Sequence, residues 1–106
     1  MWVEAVAVDV IFYRLAAQEY RTARRRYFLR HPPLASRFIA QIDVAVQKIA
    51  DNPGRWPVYD GPYRWIKTHR FPYLLIYRVN ADGNCCIVAV AHAHRRPGYW
   101  KRRLRG

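Results

Sequence analysis

The chain has 106 residues and a mass of 12.6 kDa, enough for a single domain over 1–106 and no second. Hydrophobic residues make up 52% and aromatics 15%, which excludes a disordered tail and requires a packed core. Lys and Arg number 19 against 7 Asp and Glu, and the resulting +12 asks for an anionic partner: nucleic acid, an acidic protein or a membrane surface. No apolar run approaches the ~20 residues of a membrane span. Asp9 interrupts the apolar stretch Val6 to Tyr13, and no basic segment precedes it, so a signal peptide is not expected and a cytoplasmic location is.

Taken in order, Val6 to Tyr13 is rich in β-branched and aromatic residues, which fit a pleated, half-buried first strand. From Leu15 the period changes. Ala16, Tyr20, Ala23 and Tyr27 fall on one stripe of an amphipathic helix, and Arg21, Arg24, Arg25, Arg26 and Arg30 occupy its other faces, with Glu19 the one nearby acid. His31-Pro32-Pro33 stops that helix, and Pro33 can open the next, where its missing N–H costs nothing. Leu34, Phe38, Ile42, Ala45 and Ile49 mark the second stripe, which Asp51-Asn52-Pro53-Gly54 ends. So short a connection predicts an antiparallel helical hairpin.

The stretch from Gly54 to Pro62 reads as a loop. Three strands are then expected: Tyr63 to Arg70, Tyr73 to Val79, and Cys86 to His92, the last two joined by a hairpin around Asp82-Gly83. Adjacent Cys85 and Cys86 would face opposite ways on a strand, so neither a mutual disulfide nor a metal knuckle is natural. A basic tail over 94–106 carries Arg95, Arg96, Lys101, Arg102, Arg103 and Arg105 and no acid. The expected architecture is α+β, in the order β-α-α-β-β-β, with a helical hairpin packed on one face of a small, mostly antiparallel sheet.

Two features carry chemistry. Like charges at i and i+4 on the first helix, such as Arg21 and Arg25, repel one another and favour a binding face for an acidic protein or nucleic acid. Along the strands and tail, Tyr63, Arg64, Lys67, His69, Arg70, Arg78, His92, His94, Arg95, Arg96, Tyr99 and Trp100 interleave cations with rings. Nucleic acid suits that mixture, because cations neutralise phosphates while bases stack on rings. Strand alternation puts Tyr63, Trp65, Lys67 and His69 on one face and Arg64, Ile66, Thr68 and Arg70 on the other. His92 and His94 share a face and are better suited to proton transfer than to a metal, since no third ligand is near in sequence. No glycine-rich phosphate loop, G-x-S-x-G, HExxH or CxxC is present, so no cofactor and no metal are expected. Any enzymatic chemistry would rely on cations, histidine and tyrosine, which suits RNA cleavage through the 2′-hydroxyl.

Phe71-Pro72-Tyr73-Leu74-Leu75-Ile76-Tyr77-Arg78-Val79, Val88-Ala89-Val90-Ala91-His92 and Arg95-Arg96-Pro97-Gly98-Tyr99-Trp100 together resemble the RelE/ParE toxin superfamily of bacterial type II toxin–antitoxin systems. Upstream, Ala16 to Tyr20, Leu34 to Phe38 and the Asn52-Pro53 stop are similar to the family's two helices. The resemblance implies a cognate antitoxin whose acidic C-terminal segment would lie along the first helix, on Tyr20, Arg21, Arg24, Arg25, Tyr27 and Phe28. It also offers two targets. The ParE-like ending implies a non-enzymatic inhibitor of DNA gyrase that uses Arg64, Lys67, Arg95, Arg96, Tyr99 and Trp100. The RelE-like alternative is a ribosome-dependent messenger-RNA endoribonuclease using Lys67, Arg78, His92, His94, Arg95 and Tyr99. The ribonuclease members typically carry an arginine where this chain has Leu74, and that departure favours the ParE-like reading.

Overall fold

The computed structural model describes residues 8–104. The sequence order is reproduced with one strand added: β1 (Val10–Phe12), α1 (Arg14–Arg30), α2 (Pro32–Asp51), β2 (Val58–Asp60), β3 (Tyr63–Lys67), β4 (Tyr73–Val79) and β5 (Cys85–His92). They form one five-stranded sheet in the order β1-β5-β4-β3-β2. β1 runs parallel to β5, and every other neighbouring pair is antiparallel. The added strand β2 lies between Pro57 and Pro62 on the sheet's edge, where flanking prolines remove no central ladder bond. The sequence reads as a loop there because the strand is only three residues long and its register breaks between Val58 and Asp60.

The two helices are separated by His31 alone, whose extended backbone (φ −167°) is both the end of α1 and the start of α2. Pro32 and Pro33 occupy the first turn of α2, where no N–H partner is needed. Ala16 and Ala23 are buried on α1, as are Ala35, Phe38, Ile42, Ala45 and Ile49 on α2. All of these except Ala35 pack with Ile66, Leu75, Tyr77, Cys85, Ile87 and Val90 of the sheet to form the principal core. Tyr20 and Tyr27 close it: Tyr20 stacks on Phe12 at 5.8 Å, and Tyr27 meets Phe38 at 5.1 Å and Phe71 at 5.2 Å.

Two boundaries differ from expectation. β3 ends at Lys67 rather than Arg70, because the buried Thr68 hydroxyl donates a hydrogen bond shared between the Phe71 and Tyr73 carbonyls at 3.1 and 3.0 Å. Arg70 then turns the chain with φ 65°, a left-handed conformation that costs a side chain energy. β1 is shorter than the expected first strand, and Val6 and Ala7 lie outside the described residues. The hairpin between β4 and β5 is a five-residue loop, in which Gly83 (φ 88°) supplies the turn and an Asp82 carboxylate oxygen accepts from the Asn84 N–H at 2.9 Å.

A bulge in β5 decides what the other sheet face carries. Ile76 pairs with Ala89 and Tyr77 with Ile87, so Val88 is the extra residue and the alternation shifts by one. Val88 and Ala89 therefore join Ile76, Ala91 and Trp100 in a second buried cluster on the face away from the helices. Trp100 is only 1% exposed, with its ring edge-on to Tyr59 at 5.2 Å and Tyr63 at 4.8 Å. The sheet is thus covered twice, by the helical hairpin on one side and by the chain's own tail on the other. Among the described residues no helix is long and apolar enough to cross a membrane.

Candidate functional site

The buried side of the tail is held by the Glu19 carboxylate. Glu19, on the first turns of α1, accepts from the Val90 N–H at 3.1 Å, from the Tyr99 hydroxyl at 2.5 Å, and from both terminal nitrogens of Arg103 at 2.7 and 3.0 Å. Arg103 also donates to the Val88 carbonyl at 3.1 Å, which satisfies the bulge. Both charged side chains are largely out of solvent, 13% exposed for Arg103 and 17% for Glu19. Burial opposes the Arg103 charge, but the Glu19 hydrogen bond and charge outweigh it and hold its pKa above the ordinary value. Burial, reinforced by the bond to Glu19, pushes the Tyr99 phenol far above the usual tyrosine range, so Tyr99 stays a neutral donor. Lys101 adds an exposed pair with Asp60 at 2.8 Å, and that contact holds the Asp60 carboxyl below its usual value.

Tyr99 in turn carries Arg95, whose guanidinium lies 3.9 Å from the ring centroid. Arg95 and Arg96 are exposed on the turn that leaves β5. There the His94 N–H donates to Nδ1 of His92 at 3.0 Å, the His92 and His94 rings stack at 5.2 Å, and His92 meets the Tyr73 ring edge-on at 5.1 Å. Between this turn and α1 runs a cleft of about 650 Å³, to which Gln18, Thr22, Arg26, His92, His94 and Arg95 contribute. A second groove, of about 940 Å³, runs between the helices, with Arg21, Arg24, Arg25 and Phe28 on one wall and Ser36 and Ile39 on the other. Phe28 is 55% exposed beside it.

Several expected groupings come apart in three dimensions. Arg78 pairs with Cys86, five residues along β4 from the Tyr73–His92 pair, which puts it about 17 Å away at ~3.4 Å per residue. Lys67, His92, His94, Arg95 and Tyr99 therefore do not form one catalytic cluster with Arg78. Arg64 lies beside Tyr77 and donates to the Trp56 carbonyl at 2.5 Å, so it fastens the loop before β2 rather than joining the tail's cations. Trp100 is a packing residue for the reason given above. Lys67, by contrast, lies across from Leu74, which shares a small pocket with Arg95, Arg96 and Tyr99. Of the expected antitoxin contacts, Arg21, Arg24, Arg25 and Phe28 line the helical groove, whereas Tyr20 and Tyr27 turn inward to the core. Cys85 and Cys86 are buried free thiols, both pushed up chiefly by burial, and Cys85 belongs to the principal core. Among the described residues no three His, Cys, Asp or Glu side chains gather to hold a metal ion.

The architecture is two helices on one face of a mixed sheet, with a tail anchored across the other. A solved structure titled "Chromosomal ParDE TA system from P. aeruginosa" superposes with a TM-score of 0.71 at 16% identity, covering 83% of this chain and 98% of that one. No curated protein matches the sequence. The model of the family described as "ParE toxin of type II toxin-antitoxin system, parDE" matches residues 10–97. The chain belongs to the ParE toxin family.

Proposed function

We propose that this toxin inhibits DNA gyrase without chemistry of its own and is held inactive by a cognate antitoxin. The family match over residues 10–97 carries the reading. The tail supports it: Arg95 and Arg96 stand exposed on an anchored turn, with Lys67 on the adjoining part of the sheet and Tyr99 held beneath Arg95. These four residues are the target surface. The helical groove suits an antitoxin segment that brings carboxylates to Arg21, Arg24 and Arg25 and an apolar side chain to Phe28. Ordering such a segment costs entropy that burial and charge pairing must exceed. Against the ribonuclease reading stand the distance of Arg78 from His92 and His94 and the commitment of the Tyr99 hydroxyl to Glu19. The test is a paired assay of purified protein on gyrase supercoiling and on messenger RNA in a translating extract. Loss of supercoiling with intact message is expected, and an Arg95→Ala, Arg96→Ala variant should lose that inhibition. Cleaved message with normal supercoiling would replace the proposal with the ribonuclease reading.

A further inference from the structure

Charge is distributed along the sheet, not merely in excess. The strand ends carrying the β3–β4 turn and the exit of β5 lie together, since Tyr73 pairs with His92 and the Ala93 N–H donates to the Pro72 carbonyl at 2.8 Å. His69 and Arg70 project from the turn, and His94, Arg95 and Arg96 from the exit; all are exposed. The end of α1 reaches the same place, because Tyr27 packs on Phe71 and Tyr73, and Arg26 lines the cleft with His94 and Arg95. The carboxylates are elsewhere. Asp82 and Asp9 lie at the β4–β5 hairpin, Asp43 sits midway along α2 near Tyr20, Asp51 ends α2 beside the Pro53 loop that Tyr77 holds, and Asp60 is paired with Tyr63 opposite Arg78. Glu19, at the cleft's back, is already matched by Arg103. Among the described residues one end of the sheet is therefore cationic without an opposing acid, and the other holds most of the acids.

We propose that this cationic end docks on the phosphate backbone of a DNA duplex, independently of whether gyrase is the protein's target. The cations sit on two layers, the sheet and the helix packed on it, a spread that meets several phosphates of a duplex with one charge per ~1.7 Å of axis. An acidic peptide is the poorer fit, because such a partner needs apolar anchors. Of the exposed large hydrophobics, Ile11, Val44, Val58 and Val79 lie on other elements, and Phe28 and Leu29 sit on the last turn of α1, where Phe28 faces the helical groove; none lies on the two turns that carry His69, Arg70, His94, Arg95 and Arg96. The binding reads charge, not sequence.

The test is fluorescence anisotropy of a labelled mixed-sequence duplex of about 20 base pairs, titrated between 50 and 200 mM salt, where each phosphate contact contributes about 0.9 to the slope of log K on log salt. Arg26→Ala with Arg70→Gly removes two contacts outside the proposed target surface, and glycine suits the φ of 65° at position 70. The double variant should lose about 2 units of slope and roughly tenfold or more in affinity at 100 mM salt. Arg21→Ala with Arg25→Ala removes the same charge from the helical groove and should leave the slope within about half a unit of the parent. Equal losses in the two variants would mean that net charge alone drives binding, and the proposal fails. It fails equally if the parent shows no binding at 50 mM salt, or if the first variant keeps the parent's slope while circular dichroism shows it folded.

Discussion

Replacing Glu19 with alanine tests whether one carboxylate fixes the tail. The substitution leaves Arg103, largely out of solvent, without its counter-charge, strips the Tyr99 hydroxyl of its acceptor, and leaves the Val90 N–H without a partner. Removing one member of a buried ion pair costs about 3–5 kcal/mol. The orphaned hydrogen-bonding groups act through the same network, so their costs do not simply add. A loss near 4 kcal/mol is a large share of the ~5–15 kcal/mol of a small domain. It should lower the melting temperature by on the order of 15–25 °C. Urea and thermal unfolding followed by circular dichroism read this directly. The control is a Glu19→Met, Arg103→Met double variant, which removes both charges while keeping apolar bulk and should recover at least ~2 kcal/mol of the single-variant loss. A Glu19→Ala loss below ~1 kcal/mol, or a double variant no more stable than the single one, would show that the pair is not the tail's anchor.

Other outcomes follow from neighbouring features. Trp100→Ala should cost about 3–5 kcal/mol by opening a cavity on the far face, measured by urea unfolding; a near-neutral result would mean that the tail does not seal the sheet. Arg70→Gly should raise stability by about 1 kcal/mol in the same measurement, because glycine accepts positive φ without strain. Burial pushes the Tyr77 phenol up to about 12. The folded state therefore favours neutral Tyr77, whose contribution is complete below pH ~10 and is lost as pH rises toward 12; Tyr77→Phe should flatten that part of the alkaline stability profile. Native Cys85 and Cys86 should react with a thiol reagent only at the rate of unfolding, since both are buried and disfavour the thiolate; immediate labelling of either would contradict the packing.

The elements were legible where the signal was local. The stripe Ala16, Tyr20, Ala23 and Tyr27 announced α1, and the proline pair announced the turn, because periodicity and missing donors act within a few residues. What the sequence hid was long-range. The short β2 exists only by pairing with β3, and the Val88 bulge only by mismatch with β4, so neither has a signature of its own. The same limit hid the packing role of Trp100. Trp100 beside Tyr99 looked like an exposed aromatic pair, yet one ring seals the sheet while the other binds Glu19. A hint was present: one acid in an arginine-rich helix, in a chain whose tail has arginines and no acid. Read as a pair rather than as a partial offset of charge, Glu19 and the tail could have been joined from sequence.

The strand order has a consequence for how the toxin comes into being. β5, made last, lies between β1, made first, and β4, and the tail that follows it covers the remaining face. During synthesis β1 has no neighbour to pair with until Cys85 to Ile87 arrive, and α1 keeps Glu19 without its partner until Arg103 does. Closing those loops is slow and gains nothing beforehand, because each joins residues separated by most of the chain. A nascent chain therefore holds a helical hairpin and an incomplete meander, with no sealed sheet and no anchored Arg95. The protein completes these surfaces only once Arg103 has been made, so a product truncated before that residue lacks the anchored tail.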